Sequence, residues 1–222
     1  MRSVPVLNDS STDDHFDGSH TRALTQRLLQ GCGWFALCAG SLIGLAAAWL
    51  SQGPLASQPQ WADAIFSQVL MGRLPTFLVA VFVLFRLNFH WVTHPQFVQA
   101  ILHNERSPWG FALASALTAS LCWAWLLLSS IGLTWFFLEL RMGGHAHVAF
   151  LHLLTQLSPQ AWLHDGLRLW MLAVSVAWVS FIEVRFLGAH QLEPSMALSR
   201  ATVLGLLLVG GIETADFFLF LD

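Results

Sequence analysis

Two carboxylates, Glu213 and Asp216, lie inside the apolar run GGIETADFFLFLD at the end of the sequence. Residues three apart share a face of a helix, so both side chains should point in one direction. A charge at the centre of a membrane helix costs about 2.5–3.5 kcal/mol on insertion scales. Arg73, in MGRLPT, is expected at a similar depth in another membrane helix. We therefore predict an intramembrane charge cluster of Arg73, Glu213 and Asp216, in which at least one carboxylate pairs with Arg73.

The position of Arg73 depends on Pro75, which follows it by two residues. Proline either interrupts a helix or occupies its first turn. If the helix begins at Pro75, Arg73 moves out to the headgroups. Glu213 and Asp216 would then face a partner subunit or a water-filled path, with Glu213 protonated.

Glu183 and Arg185, in FIEVRF, form a secondary pair of charged positions near one end of another apolar segment. They are two residues apart, so on a helix they point to different sides and do not pair with each other. A charge at the end of a membrane helix can reach water and needs no further function.

The histidines are weak candidates for a metal site. His90 and His94 lie four residues apart in HWVTH, and His145, His147 and His152 lie in GGHAHVAFLH. A pair of histidines on one helix face needs further ligands to hold a metal ion. The two groups are expected on opposite sides of the membrane and cannot share one ion. We predict no bound metal and no cofactor, with these histidines hydrogen-bonded to water or headgroups.

Motifs for enzymatic chemistry are missing from the sequence. It has no G-x-S-x-G, no H-E-x-x-H and no glycine-rich phosphate loop. Its three cysteines, Cys32, Cys38 and Cys122, include no C-x-x-C pair, which favours buried apolar thiols. These absences favour a protein that is not an enzyme.

Composition indicates an all-α integral membrane protein. The 222 residues are 55% hydrophobic and only 10% charged, whereas about 25% are charged in soluble domains. About 20 helical residues cross the hydrocarbon core of a bilayer. The pattern predicts a flexible polar tail at 1–20 and a single transmembrane helical domain at 21–222. We expect five membrane spans at about 33–50, 67–88, 109–138, 169–187 and 200–222, with an outer segment at 140–168 that contains a surface-lying helix.

The arginines predict the orientation, since cytoplasmic loops carry an excess of basic residues. With the N-terminus in the cytoplasm, Arg141 and Arg168 fall outside and Arg73 is ambiguous. The remaining arginines then fall on or near the cytoplasmic side: Arg2, Arg22, Arg27, Arg86, Arg106, Arg185 and Arg200. Five spans place the C-terminus outside. The abundance of arginine without any lysine hints at a bacterial source, and hence at the inner membrane.

Three functions remain open at this stage. The first is a non-enzymatic subunit that acts as a scaffold or assembly partner in a larger membrane complex. The second is a proton or ion channel or carrier component that uses the intramembrane carboxylates. The third is a membrane redox subunit that binds a quinone or a metal. The expected partners are the lipid bilayer and other membrane subunits or further copies of the chain. The net charge of −3, without a basic cluster, excludes nucleic acid.

Overall fold

The structure, a computed structural model, describes residues 18–52, 65–93, 108–155, 158–190 and 194–219. Every regular element within these residues is helical, which confirms the all-α prediction. The α-helices are α1 (Gly18–Leu29), α2 (Cys32–Gln52), α3 (Leu74–Thr93), α4 (Pro108–Met142), α5 (Ala146–Thr155), α6 (Pro159–His190) and α7 (Pro194–Leu219). A π-helical segment, Ile65–Arg73, leads directly into α3, and a 3₁₀ turn, Gly143–His145, joins α4 to α5.

Five of the helices are long and apolar enough to cross a bilayer, as expected for a multi-pass membrane protein. The apolar stretches lie in α2, α3, α4, α6 and α7 and cover Cys32–Leu50, Leu70–His90, Pro108–Met142, Pro159–Phe186 and Leu198–Asp216. The predicted tail at 1–20 lies mostly outside the described residues, since α1 begins at Gly18.

The fourth long helix begins earlier than the hydropathy of the sequence suggested. We expected a span from 169, but α6 begins at Pro159. Ser158 caps this helix, because its Oγ accepts a hydrogen bond of 3.1 Å from the N–H of Ala161. Proline at the first helical position needs no hydrogen-bond partner for its nitrogen, and α4 and α7 also begin with proline.

The outer segment at 140–168 consequently divides into three parts. α4 continues to Met142, α5 occupies the part where a surface-lying helix was expected, and α6 begins at Pro159. On α5, Val148 and Leu151 are exposed, while Phe150 and Leu154 are partly covered. Arg168, which the sequence analysis had placed in the outer connection, therefore lies inside a long helix.

α2 and α4 pack at unusually close range through small residues. A Cβ atom built on Gly40 would lie 2.5 Å from the carbonyl oxygen of Leu126, and one built on Gly44 would overlap the carbonyl group of Ser130. Ser129 Oγ donates a 2.8 Å hydrogen bond to the carbonyl of Ala36 across this contact. Close backbone approach and interhelical hydrogen bonds are the means by which membrane helices associate.

α3, α6 and α7 form the part of the bundle that positions the charged residues. Their contact is filled by small and branched apolar side chains, namely Ala80, Leu84, Leu172, Val176 and Val209. α1 packs across one end of the bundle, where Leu24 and Leu28 join Leu87, Phe111 and Phe181 in a second apolar cluster. These contacts fix the relative height of α3 and α6, and therefore the height of their polar side chains.

Candidate functional site

Arg168 is the centre of the charged site. Its side chain is only 2% exposed, although it carries a full positive charge in an apolar helix bundle. Its Nη1 donates a 2.8 Å hydrogen bond to Oδ2 of Asp216 on α7. Its Nε lies 3.5 Å from Oε1 of Glu213, and its Nη2 lies 3.4 Å from Oδ1 of Asp165, one turn earlier on α6. Three carboxylates from two helices thus surround one guanidinium group.

The third helix contributes Thr76 of α3, whose Oγ1 accepts a short hydrogen bond from Nη2 of Arg168. The same hydroxyl donates toward the carbonyl oxygens of Arg73, at 2.8 Å, and Gly72, at 3.2 Å. These carbonyls lie where the π-helical segment ends. Thr76 therefore satisfies backbone groups at this irregular point and links them to Arg168.

Arg73 and His164 lie at the edge of the site. Nη2 of Arg73 is 3.8 Å from Oδ2 of Asp216, and its side chain is 28% exposed. Nε2 of His164 is 3.4 Å from the other carboxylate oxygen of Asp216, and this side chain is 42% exposed. We name the seven residues the Arg168 cluster: Arg73, Thr76, His164, Asp165, Arg168, Glu213 and Asp216.

The structure brings together the three residues that the sequence analysis grouped, but around a different partner. Arg73, Glu213 and Asp216 share one site, and Arg73 lies within ion-pair distance of Asp216. Arg168 is nevertheless the more buried arginine and makes the shorter contact to Asp216. His164, Asp165 and Arg168 were missed because hydropathy placed the start of the span after them. The dipeptide Ser158–Pro159 is a helix-start pattern that could have placed them inside it.

A second polar layer lies farther along the same three helices. Asn88 of α3 donates to Thr202 Oγ1 of α7 at 3.1 Å and accepts from Ser180 Oγ of α6 at 3.0 Å. Asn88 follows Thr76 by twelve residues, and Ser180 follows Arg168 by the same interval. Twelve residues of α-helix rise about 18 Å. The Arg168 cluster and this Asn88 layer therefore lie at two separate heights of the bundle.

The secondary charged positions lie near the Asn88 layer. Glu183 is buried, and its Oε2 lies 3.4 Å from Nε of Arg200 on α7. The guanidinium of Arg185 lies over the ring of Phe181, 5.2 Å from its centre. The two residues thus contact different partners, and Glu183 adds a further charged contact between α6 and α7.

The candidate metal ligands are scattered. His90 is buried on α3, and His147 is exposed on α5. His145 and His152 belong to the helical region around α5, and His94 lies outside the described residues. Among the residues that the structure describes, no three His, Cys, Asp or Glu side chains are grouped so that they could hold a metal ion. The absence of a metal site stays a prediction.

The Arg168 cluster can link helices or exchange protons. A fully buried guanidinium surrounded by carboxylates holds α3, α6 and α7 together, and the imidazole of His164 lies at the exposed edge of the site. No protein-family model, curated protein or solved structure matches this chain, and its function is therefore inferred from the arrangement of these side chains.

Proposed function

We propose that this protein is a non-enzymatic membrane subunit that serves as a scaffold or assembly partner for other membrane proteins. The observation that carries the proposal is the separation of its two polar layers. Between them, residues 77–85 of α3, 169–182 of α6 and 201–212 of α7 contain no Asp, Glu, Arg, Lys or His. α2 contains none at all, and neither does α4 between Pro108 and Leu138.

The space between the layers is filled by apolar side chains. Leu84, Leu172 and Val176 are fully buried there. Proton and ion paths through membranes are marked by ionisable groups or water-filled cavities. An apolar gap of about 18 Å without an ionisable side chain favours a structural role for the charges on either side.

The outward faces of α2 and α7 support an assembly role. Large apolar side chains are exposed along both helices, including Trp34, Leu42 and Trp49 on α2 and Val203 and Leu207 on α7. Only 17% of the apolar stretch of α7 is buried within the chain. Such faces suit contact with lipid or with the helices of partner subunits. We place the protein in a bacterial inner membrane, with the N-terminus in the cytoplasm.

Purification from native membranes in mild detergent tests this proposal. Mass spectrometry should find a reproducible, stoichiometric set of membrane proteins with the tagged chain. Leu207→Trp is a sharper probe, because a lipid-facing position tolerates a larger apolar side chain and a packed interface does not. The variant should lose the partners while its own thermal unfolding stays unchanged. A chain that purifies alone, or only with copies of itself, overturns the proposal.

The charge balance of the Arg168 cluster favours one second candidate, a component of a proton or ion channel or carrier. Asp165, Glu213 and Asp216 supply three carboxylates, against two guanidinium groups from Arg73 and Arg168. By formal charge, with all three carboxylates ionised, one negative charge remains, next to the partly exposed His164. In liposomes containing a pH-sensitive dye, a transporter would lose proton flux after Glu213→Gln with Asp216→Asn. A scaffold would show no flux before or after the substitutions.

A further inference from the structure

A groove of about 460 Å³ opens between α3 and α7 beside the Asn88 layer. Its wall combines an aromatic stripe with one cation, and the described residues that form it include Phe82, Phe85, Arg86, Phe89, Leu198 and Thr202. Phe85 is 51% exposed and Phe89 is 58% exposed, so the stripe lies open along the side of the bundle. A ligand in this groove must have a long apolar part.

Arg86 supplies the positive charge of the groove. The side chain is half-buried, and its Nη2 donates one long hydrogen bond of 3.4 Å to the carbonyl oxygen of Arg27. Among the described residues, no carboxylate lies within ion-pair distance of this guanidinium. Arg200, at the same end of the bundle, is in contrast paired with Glu183. A guanidinium carries five N–H donors, so Arg86 can bind an anionic group with the others.

The neutral polar groups of the groove are partly engaged. Asn88 uses its amide nitrogen on Thr202 and its amide oxygen on Ser180. A ligand whose head carries only neutral carbonyls, such as a quinone, would accept weaker hydrogen bonds from Arg86 than a negatively charged group, whose charge-assisted bonds are roughly twice as strong. Arginine is well suited to phosphate, because its planar group can donate two parallel hydrogen bonds.

We infer that this groove binds one anionic glycerophospholipid. The phosphate lies on Arg86, and one acyl chain lies along Phe82, Phe85 and Phe89. Basic pockets between membrane helices bind anionic headgroups in this way. The site is independent of the scaffold role proposed above, because it depends only on the contact between α3 and α7 within one chain.

The test compares two lipids with identical acyl chains on the purified full-length protein in mild detergent. Phosphatidylglycerol should raise the thermal unfolding midpoint more than phosphatidylcholine does. In native mass spectrometry, one phosphatidylglycerol should stay bound at an activation energy that releases phosphatidylcholine. Arg86→Gln should weaken the binding of phosphatidylglycerol about tenfold, through the loss of charge-assisted hydrogen bonds. Inorganic phosphate at the same concentration should shift nothing.

Two further variants separate this site from general attraction to arginine. Arg22→Gln removes an exposed arginine of α1 that does not line the groove, and it should bind phosphatidylglycerol like the unchanged protein. Leu198→Trp narrows the groove at constant charge and should reduce binding. Equal stabilisation by the two lipids, an equal shift with inorganic phosphate, or unchanged binding by Arg86→Gln overturns the site. If Arg86→Gln does not fold, the site is overturned instead by a Leu198→Trp variant that binds phosphatidylglycerol as well as the unchanged protein does.

Discussion

Nη1 of Arg168 lies 2.8 Å from Oδ2 of Asp216, although 48 residues separate the two in the chain. This contact joins the beginning of α6 to the end of α7. Since the same guanidinium also binds Thr76 of α3, one side chain connects three helices that share no short loop at this end. The free energy of such a site depends on all its partners, because each compensates the burial of the others.

Replacing Arg168 with glutamine should destabilise the protein strongly. The substitution leaves Glu213 and Asp216 facing each other without their buried counter-charge. Removal of one partner from a buried ion pair typically costs about 3–5 kcal/mol. Thermal unfolding in detergent, followed by intrinsic tryptophan fluorescence, measures the change. Arg22→Gln is the matched control, since Arg22 is exposed on α1. Its effect should stay within about 0.5 kcal/mol, and an equally small effect at Arg168 would contradict the structure.

Charge reversal should distinguish the two arginines that approach Asp216. Asp216→Arg places a cation against Arg168 and should abolish a monodisperse elution peak in size-exclusion chromatography. Adding Arg168→Asp restores the closest pair and should recover part of the peak. Adding Arg73→Asp instead should recover less, because Arg73 is more exposed and lies 3.8 Å from Asp216. Greater recovery with Arg73→Asp than with Arg168→Asp would show that Arg73 is the principal partner, as the sequence analysis predicted.

The contact between α2 and α4 gives a prediction with an internal control. Gly44→Ala should destabilise by about 1–3 kcal/mol, the usual cost of overpacking, because its Cβ would overlap the carbonyl group of Ser130. Gly132→Ala, on the facing helix, has no heavy atom within 4 Å of the new Cβ. It should be neutral or stabilise by up to about 1 kcal/mol. Thermal unfolding of both variants decides whether the glycine is required for helix contact.

The proposed orientation can be tested with reporters at the chain ends. A fluorescent protein that folds only in the cytoplasm should be dark at the C-terminus, and alkaline phosphatase there should be active. We expect this orientation because the arginines are in excess at the opposite end of the bundle, and cytoplasmic loops carry an excess of basic residues. A bright C-terminal fusion would reverse the topology and would place the Arg168 cluster on the cytoplasmic side.

The histidines of the α5 region should bind no tight transition metal. Purified protein should carry less than stoichiometric zinc or copper by elemental mass spectrometry, because two or three imidazoles make an incomplete ligand set. The double variant His145→Ala with His147→Ala provides the control. Stoichiometric metal that disappears in this variant would contradict the prediction and revive a redox function.

The sequence predicts much of this fold, because hydropathy and helix length depend on local composition. Five helices of membrane length follow from it directly. The i,i+3 spacing of Glu213 and Asp216 also indicates a shared face, which the structure places on one guanidinium. Arg168, the central residue of the cluster, was not predicted, because hydropathy depends only on the local sequence. Arg168 lowers the hydropathy at the start of α6 and so resembles an interfacial charge, whereas only the packing of three helices reveals its burial.

Helix boundaries and partner identity depend on different information. The start of α6 is encoded locally by Ser158 and Pro159, and attention to capping could have found it. The pairing of Arg86 with a carbonyl of α1, and of Arg200 with Glu183, is set by which helices are neighbours. No spacing within a single helix contains that information.

The length of α4 has a consequence for the surrounding membrane. Its exposed large apolar side chains extend from Trp109 to Leu140. These residues are about 46 Å apart along the axis, against a hydrocarbon core of about 30 Å. To keep both ends out of water, the helix must incline by about 50°, or the lipid around it must stretch. Full inclination would leave the bilayer thickness unchanged, whereas any smaller tilt requires the lipid around the helix to thicken. The protein's stability should therefore vary with acyl-chain length, and membranes of different thickness should retain it unequally.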